Sequence, residues 1–182
     1  MTASRAALLR REGRLSDGRA YLLRPTREDD SAALLTLRDS IAAEGRLIAA
    51  APGDRTELEE SLALAGLLSE GGLSLTLEVA ASVAGQVMVR RLLHRLEDDE
   101  GEVAIAVHNS ARGVGLGRLL METAIEWARA VRLTALRLGV FPDNDRALRL
   151  YRALGFVEDP SLRGRASLPE GAPDLLLMTL RL

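Results

Sequence analysis

The 182-residue chain reads as one mixed α/β domain, and three observations predict it. Strand-like and helix-like runs alternate along the chain, with no repeat, low-complexity tract or linker between them. A hydrophobic content of 47% suffices for a single core at this length. The strongest helical periodicity, Leu116 to Val131, follows a glycine-rich turn, which in turn follows an alternating apolar strand.

Met1 to Arg14 carries arginines among short apolar pairs, and residues 1–18 are expected to be a loosely held extension, with the domain occupying 19–182. Arg19 to Arg24 is a short strand. Thr26 is placed to cap a helix whose first turn holds Glu28, Asp29 and Asp30 and whose inward positions are Leu34, Leu37 and Ile41. Pro52 and Gly53 mark a loop, and Thr56 with Glu59 forms a capping box for a second helix ending near Gly71. Leu73 to Ala80 and Val83 to Leu92 are two strands with a tight turn at Ala81 and Ser82. The acidic run Glu97 to Glu100 is a solvated turn, and Glu102 to Val107 is a strand.

In the helix after the glycine turn, Leu116, Leu119, Leu120, Thr123, Ala124, Trp127 and Val131 make one buried stripe, so Trp127 is read as core. Ala135 to Phe141 is the next strand. Asn144 or Asp143 caps a short helix with Ala147, Leu150, Tyr151 and Leu154 facing inward, and Gly155 stops it. Phe156 begins another strand, and Asp174 to Leu182 makes the last.

Composition excludes several functions. A net charge of -2 and a pI of about 5.8 give no concentrated basic surface for a nucleic-acid backbone. Without cysteine there is no thiolate nucleophile, disulfide or thiolate metal site, and two histidines, His94 and His108, argue against a metal centre. Every basic residue is arginine. No apolar run approaches the roughly 20 residues that span a bilayer, and no signal-like segment leads the chain, so a cytoplasmic protein is expected.

The chemistry-bearing motif is Arg112-Gly113-Val114-Gly115-Leu116-Gly117-Arg118. Glycines let the backbone turn sharply and approach a ligand, and the free amides of the following helix start, aided by its dipole, suit a pyrophosphate. Arg112 or Arg118 would add a charge-assisted phosphate contact. A Walker-type loop would require a lysine that the chain lacks. A dinucleotide fingerprint fits only loosely, because its last glycine comes one position early and the motif lies past mid-chain.

Taken with its neighbours, the segment from Gly101 to Gly117 resembles the fourth strand and acetyl-coenzyme A loop of the GNAT acetyltransferases, whose pattern [QR]-x-x-G-x-[GA] is matched by Arg112, Gly115 and Gly117. Farther on, Asn144, Ala147, Leu150, Tyr151, Gly155 and Phe156 look like the family's second signature, N-x-x-A-x-x-L-Y-x-x-x-G-F. Leu23-Arg24-Pro25-Thr26 with Asp29 is similar to its usual opening, so the resemblance covers roughly Arg19 to Leu182.

The resemblance implies a twisted mixed sheet of about six to seven strands, flanked by helices, whose fourth and fifth strands splay apart. Acetyl-CoA would enter that gap as acyl donor, its pantetheine arm pairing with the strand around Val107 and Asn109. Its pyrophosphate would lie on the amides of Arg112 to Arg118, with Asn144 contacting the arm. Tyr151 matches the family's general acid for the departing thiolate. Glu102 is the candidate base and His108 the alternative, each with a bland reading as a strand-end polar residue. The oxyanion donor is expected to be a backbone amide near Val107, and Glu44, Arg46 and His108 are candidates for lining the acceptor site. The implied activity is acetyl transfer to a primary amine on a small molecule, an amino acid or a peptide N-terminus, with a homodimer expected. The readings left open are a non-catalytic acyl-CoA-binding module and, behind it, a dinucleotide-dependent oxidoreductase.

Overall fold

A computed structural model describes residues 9–45, 47–48, 50–93, 99–162 and 175–182. Its strands are β1 Arg11–Arg14, β2 Ala20–Pro25, β3 Leu73–Val79, β4 Ser82–Leu93, β5 Asp99–Val107, β6 Ala135–Val140, β7 Val157–Glu158 and β8 Leu176–Arg181. They form one sheet in the order β1-β2-β3-β4-β5-β6-β8-β7, antiparallel except for β5 against β6. The helices are α1 Ser31–Ala42, α2 Glu57–Ser69, α3 Leu116–Ala130 and α4 Asp145–Ala153.

Strand periodicity sorts the side chains into two layers. On one face Leu73, Leu75, Leu77, Val87, Val89, Val103, Leu136 and Leu138 pack with Leu120, Met121, Ala124, Trp127 and Ala128 of α3 in the main core. That helix buries a wider stripe than its spacing predicts, since Met121 and Ile125 are buried as well. On the other face Leu34, Leu37 and Ile41 of α1 pack over Val83 and Ala106. Among the described residues no helix is long and apolar enough to cross a membrane.

Beside α1 that second face is polar and hydrogen-bonded. Arg24 donates to both Asp30 oxygens at 2.7 and 2.8 Å and to Glu78 at 2.7 Å. Thr76 also donates to Asp30, and Thr26 bonds the Ser74 and Thr76 hydroxyls at 2.7 and 2.9 Å. Thr26 therefore faces the sheet and does not cap α1. The chain instead makes a 3-10 turn over Glu28–Asp30, where the Asp30 carboxylate accepts from the Arg27 amide.

Two further expectations are revised. Residues 1–18 are not uniformly a loose extension: β1 pairs with β2, and Leu9 and Leu15 are buried in the main core. The β3–β4 turn falls at Ala80 and Ala81, because Val79 pairs with Ser82. Both alanines have positive φ, 51° and 63°, which a two-residue hairpin of this hand demands and an L-residue with a Cβ resists. Replacing Ala80-Ala81 by Asn-Gly is expected to stabilise the fold by about 1 kcal/mol, raising Tm by about 3 °C in a thermal melt.

Acid should unfold the protein through two carboxylates. Arg38 hydrogen-bonds Asp54, at 2.9 Å for its Nη2, and holds that carboxyl down at about 2. Burial works against the Asp30 carboxylate, yet the bonds from Arg24 and the Arg27 amide win and its pKa is also lowered. Each group binds a proton more readily unfolded than folded. Their contribution is complete above the unfolded pKa near 4 and is lost as pH falls toward about 2. A Tm-against-pH series should fall steeply across that window and be shallower for Asp54→Asn.

Candidate active site

Parallel pairing of β5 with β6 holds only from Glu100–Ala135 to Glu102–Arg137. Beyond it β4 stays paired with β5 to Val107 and β8 with β6 to Val140. From Val103 onward, then, the backbone groups of β5 that point toward β6 have no strand to bond among the described residues. Such groups call for a partner, and an extended ligand with its own amides can supply one. Glu102 stands at the apex of this gap, as the last β5 residue paired with β6.

The gap opens toward the glycine loop. After β5 the chain makes a 3-10 turn over Asn109–Ala111, then passes Gly113 at φ 80° and Gly115 at φ 88° into α3. Both positions require the left-handed region that glycine adopts freely. A Cβ on either would meet nothing within 4 Å among the described residues, so this backbone borders open space there. The Gly115 carbonyl accepts from Leu119 at 3.1 Å, whereas the amides of Leu116, Gly117 and Arg118 begin the helix and have no carbonyl one turn back. A Cβ on Gly117 would stand 3.5 Å from Leu150 Cδ2 and 4.0 Å from Ile105 Cδ1, which brings α4, β5 and the start of α3 together at the mouth.

Arg112 is engaged differently from the phosphate contact expected of it. Its Nε donates to the Val107 carbonyl at 2.7 Å, its Nη atoms hold Glu44 at 2.5 and 2.9 Å, and its own amide donates to Asn109 O at 3.2 Å. It ties the loop to β5 and to the turn after α1. The Arg112 bonds keep the Glu44 carboxyl below its usual range. Arg118 extends outward and donates to Glu122 at 3.2 Å.

The His108 amide donates to Ala84 O at 2.8 Å, and its Nδ1 sits 2.8 Å from Ser110 Oγ while accepting from the Ser110 amide at 3.3 Å. Asn109 is exposed. Glu44 and His108 thus cluster about Arg112 at the mouth. Glu102 lies six residues away along β5, about 20 Å at a strand's rise. The two candidate bases therefore cannot serve one reacting amine. Arg46 and His94 lie outside the described residues.

Asn144 caps α4, its Oδ1 accepting from the Ala147 amide at 3.2 Å. Tyr151, two turns on, is buried, its ring 5.9 Å from that of Phe156. Its hydroxyl has no hydrogen-bond partner among the described residues, yet it is not sealed: the one buried side-chain nitrogen or oxygen left without a partner there is Arg137 Nε. Burial pushes the phenol up to about 12, so it holds its proton as a donor must.

Sequence reasoning singled out Glu102 but passed over Glu100. Glu100 is buried and paired with Arg137, with Arg181 4.0 Å away, while Glu102 is exposed and has no ion partner among the described residues. Two carboxylates two residues apart share a strand face, and only the burial of one separates them.

Residues 32–156 match the family model described as Acetyltransferase (GNAT) family. Among solved structures, an acetyltransferase of the GNAT family from Streptococcus pneumoniae is 26% identical, with a TM-score of 0.75 over 89% of this chain and 99% of that one. A ribosomal-protein-alanine N-acetyltransferase from Brucella melitensis is 24% identical at 0.74, covering 88% and 99%. A putative acetyltransferase from Salmonella typhimurium, solved with its cofactor acetyl-CoA, is 20% identical at 0.73, covering 89% and 94%.

Proposed function

This chain belongs to the GNAT acetyltransferase family, and from that premise we propose that it moves the acetyl group of acetyl-CoA directly to a primary amine of a small molecule, an amino acid or a peptide N-terminus. The observation that carries the proposal is the wedge between β5 and β6, with an open helix start at its mouth and, among the described residues, no strand along its β5 edge and no ion partner for the carboxylate at its apex. The residues present suit the donor. First-turn amides of α3 and the open backbone at Gly113 and Gly115 take the pyrophosphate, and the β5 edge up to the Val107 amide pairs with the pantetheine amides, the Val107 carbonyl being held by Arg112. Val114 and Asn144 border the arm, and Arg112 sets the loop's position through Glu44 and Val107.

This orientation puts the thioester toward the apex. There Glu102 accepts the proton the acceptor's ammonium must lose before its lone pair forms the N–C bond. A backbone amide of β5 donates to the carbonyl oxygen as charge gathers on it. Tyr151 gives its phenolic proton to the sulfur as the C–S bond breaks and regains the second proton lost by the new nitrogen, leaving a neutral amide and free coenzyme A. A cytoplasmic location and a homodimer belong to the same reading.

The test is thiol release from acetyl-CoA across a panel of primary amines, run beside thermal stabilisation of the protein by acetyl-CoA. Acceptor-dependent release supports the reading. Stabilisation without release from any amine would point to the acyl-CoA-binding module instead, and no stabilisation would remove the donor.

A further inference from the structure

At the apex three charged residues lie in one register row: Arg90 of β4 opposite Glu102 of β5, and Glu102 opposite Arg137 of β6. Directly opposed residues project to the same side of a sheet. This is the α1 side, since Gln86, four residues before Arg90, reaches Ser74 there, and Ala106, four residues after Glu102, packs on α1.

The row's charges are unequally engaged. Arg137 is held by buried Glu100. Arg90 and Glu102 are both exposed, and neither has an ion pair or side-chain hydrogen bond among the described residues, not even with each other. In the next row toward α1, Met88 opposes Ala104. Ala104 is exposed and Met88 half-buried, so a small apolar floor separates the charged row from Leu37 and Ile41 of α1. The apex therefore presents an anion and a cation on neighbouring strands, beside a patch with room for a modest side chain.

Resting on the transferase reading, we infer that Arg90 and Glu102 form a zwitterion subsite and that the acceptor is a free α-amino acid, or an analogue with an acid group on the carbon that bears the amine. Glu102 receives the ammonium and then its proton, and Arg90 receives the carboxylate. The spacing suits this. Opposed residues on adjacent strands have Cβ atoms about 5 Å apart, and two long side chains converge from there on groups joined through a single carbon. A guanidinium matches a carboxylate with two parallel donors. A peptide N-terminus offers only a neutral carbonyl at that place. Its ammonium can still meet Glu102, but the Arg90 guanidinium is then covered without an anion to pair with.

The experiment compares acids with their amides on the full chain loaded with coenzyme A. L-Methionine, L-phenylalanine and L-glutamate are titrated by calorimetry against methioninamide, phenylalaninamide and glutamic acid α-amide. Each acid is expected to bind at least about tenfold more tightly than its amide, the scale of a charge-assisted pair, with Arg90→Gln erasing the preference and Arg90→Lys restoring part of it. Equal binding of acid and amide by the wild type overturns the inference without needing any variant, as does no binding of any acid. A preference that survives Arg90→Gln overturns it too. Thiol release with acetyl-CoA separates the two readings. Release from amides alone leaves the transferase and removes the subsite, whereas bound acids that release no thiol leave the subsite and remove the transferase.

Discussion

Tyr151→Phe is expected to lower the turnover of acetyl transfer by about 100-fold or more, the scale of a lost general acid, while the protein folds as before. Tyr151 contributes to the core through its ring, which contacts Phe156 and lies in the main cluster with Leu148 and Leu138. Phenylalanine keeps that ring. The hydroxyl has no partner within the described fold, so its removal breaks no internal bond, and Tm should move by less than about 2 °C. What is lost is a proton donor. A phenol pushed up to about 12 by burial remains protonated through the ordinary working range, so the alkaline limb of the wild-type pH profile should not report Tyr151. Stopped-flow thiol release gives the turnover, and calorimetry should find coenzyme A affinity unchanged within about threefold, because the donor is held elsewhere. Unchanged turnover would withdraw the acid role from Tyr151. A collapse in affinity with turnover intact would make it a binding residue.

Where the sequence carried local signals, the fold was legible. The periodic stripe of α3, the Thr56–Glu59 capping box of α2 and the stop at Gly155 all depend on residues within a few positions of one another, and each appears as expected. The strand β1 was missed because Arg11, Glu12 and Arg14 leave no apolar alternation. Charged side chains are what an exposed edge strand uses to discourage unwanted pairing. The wedge itself came from the resemblance, since no local pattern records where two parallel strands part. The partners of the site were beyond reach altogether. Arg112 and Glu44 are 68 residues apart in sequence, and the Arg90–Glu102–Arg137 row exists only once three strands have taken their register. A one-residue slip of β4 would have put Arg90 on the opposite face, in the main core.

The glycine loop yields the second large effect. Gly115→Ala should weaken coenzyme A binding by at least about tenfold and lower the fold's stability by about 1–2 kcal/mol, the cost of a Cβ in the left-handed region. With φ at 88°, Gly115 must either strain or rotate once it carries a side chain, and rotation re-aims the amides of Leu116 and Gly117 that start α3. Open space around its Cβ position means that the alanine methyl meets no atom of the described residues, so it would occupy the ground on which a phosphate must approach. Gly117 supplies the control two residues on. It lies inside the helix, and its Cβ would make ordinary contacts with Leu150 and Ile105. Gly117→Ala should therefore bind coenzyme A within about threefold of wild type and stabilise the helix by about 0.5–1 kcal/mol. Thermal melts with and without coenzyme A read both quantities on the same samples. If both variants bind alike, the loss is not one of backbone approach, and the pyrophosphate sits elsewhere. If Gly115→Ala alone loses the ligand-induced rise in Tm, the left-handed turn before α3 is what admits the phosphates. The preceding turn at Gly113, with φ at 80° and equally open surroundings, should then behave as Gly115 does.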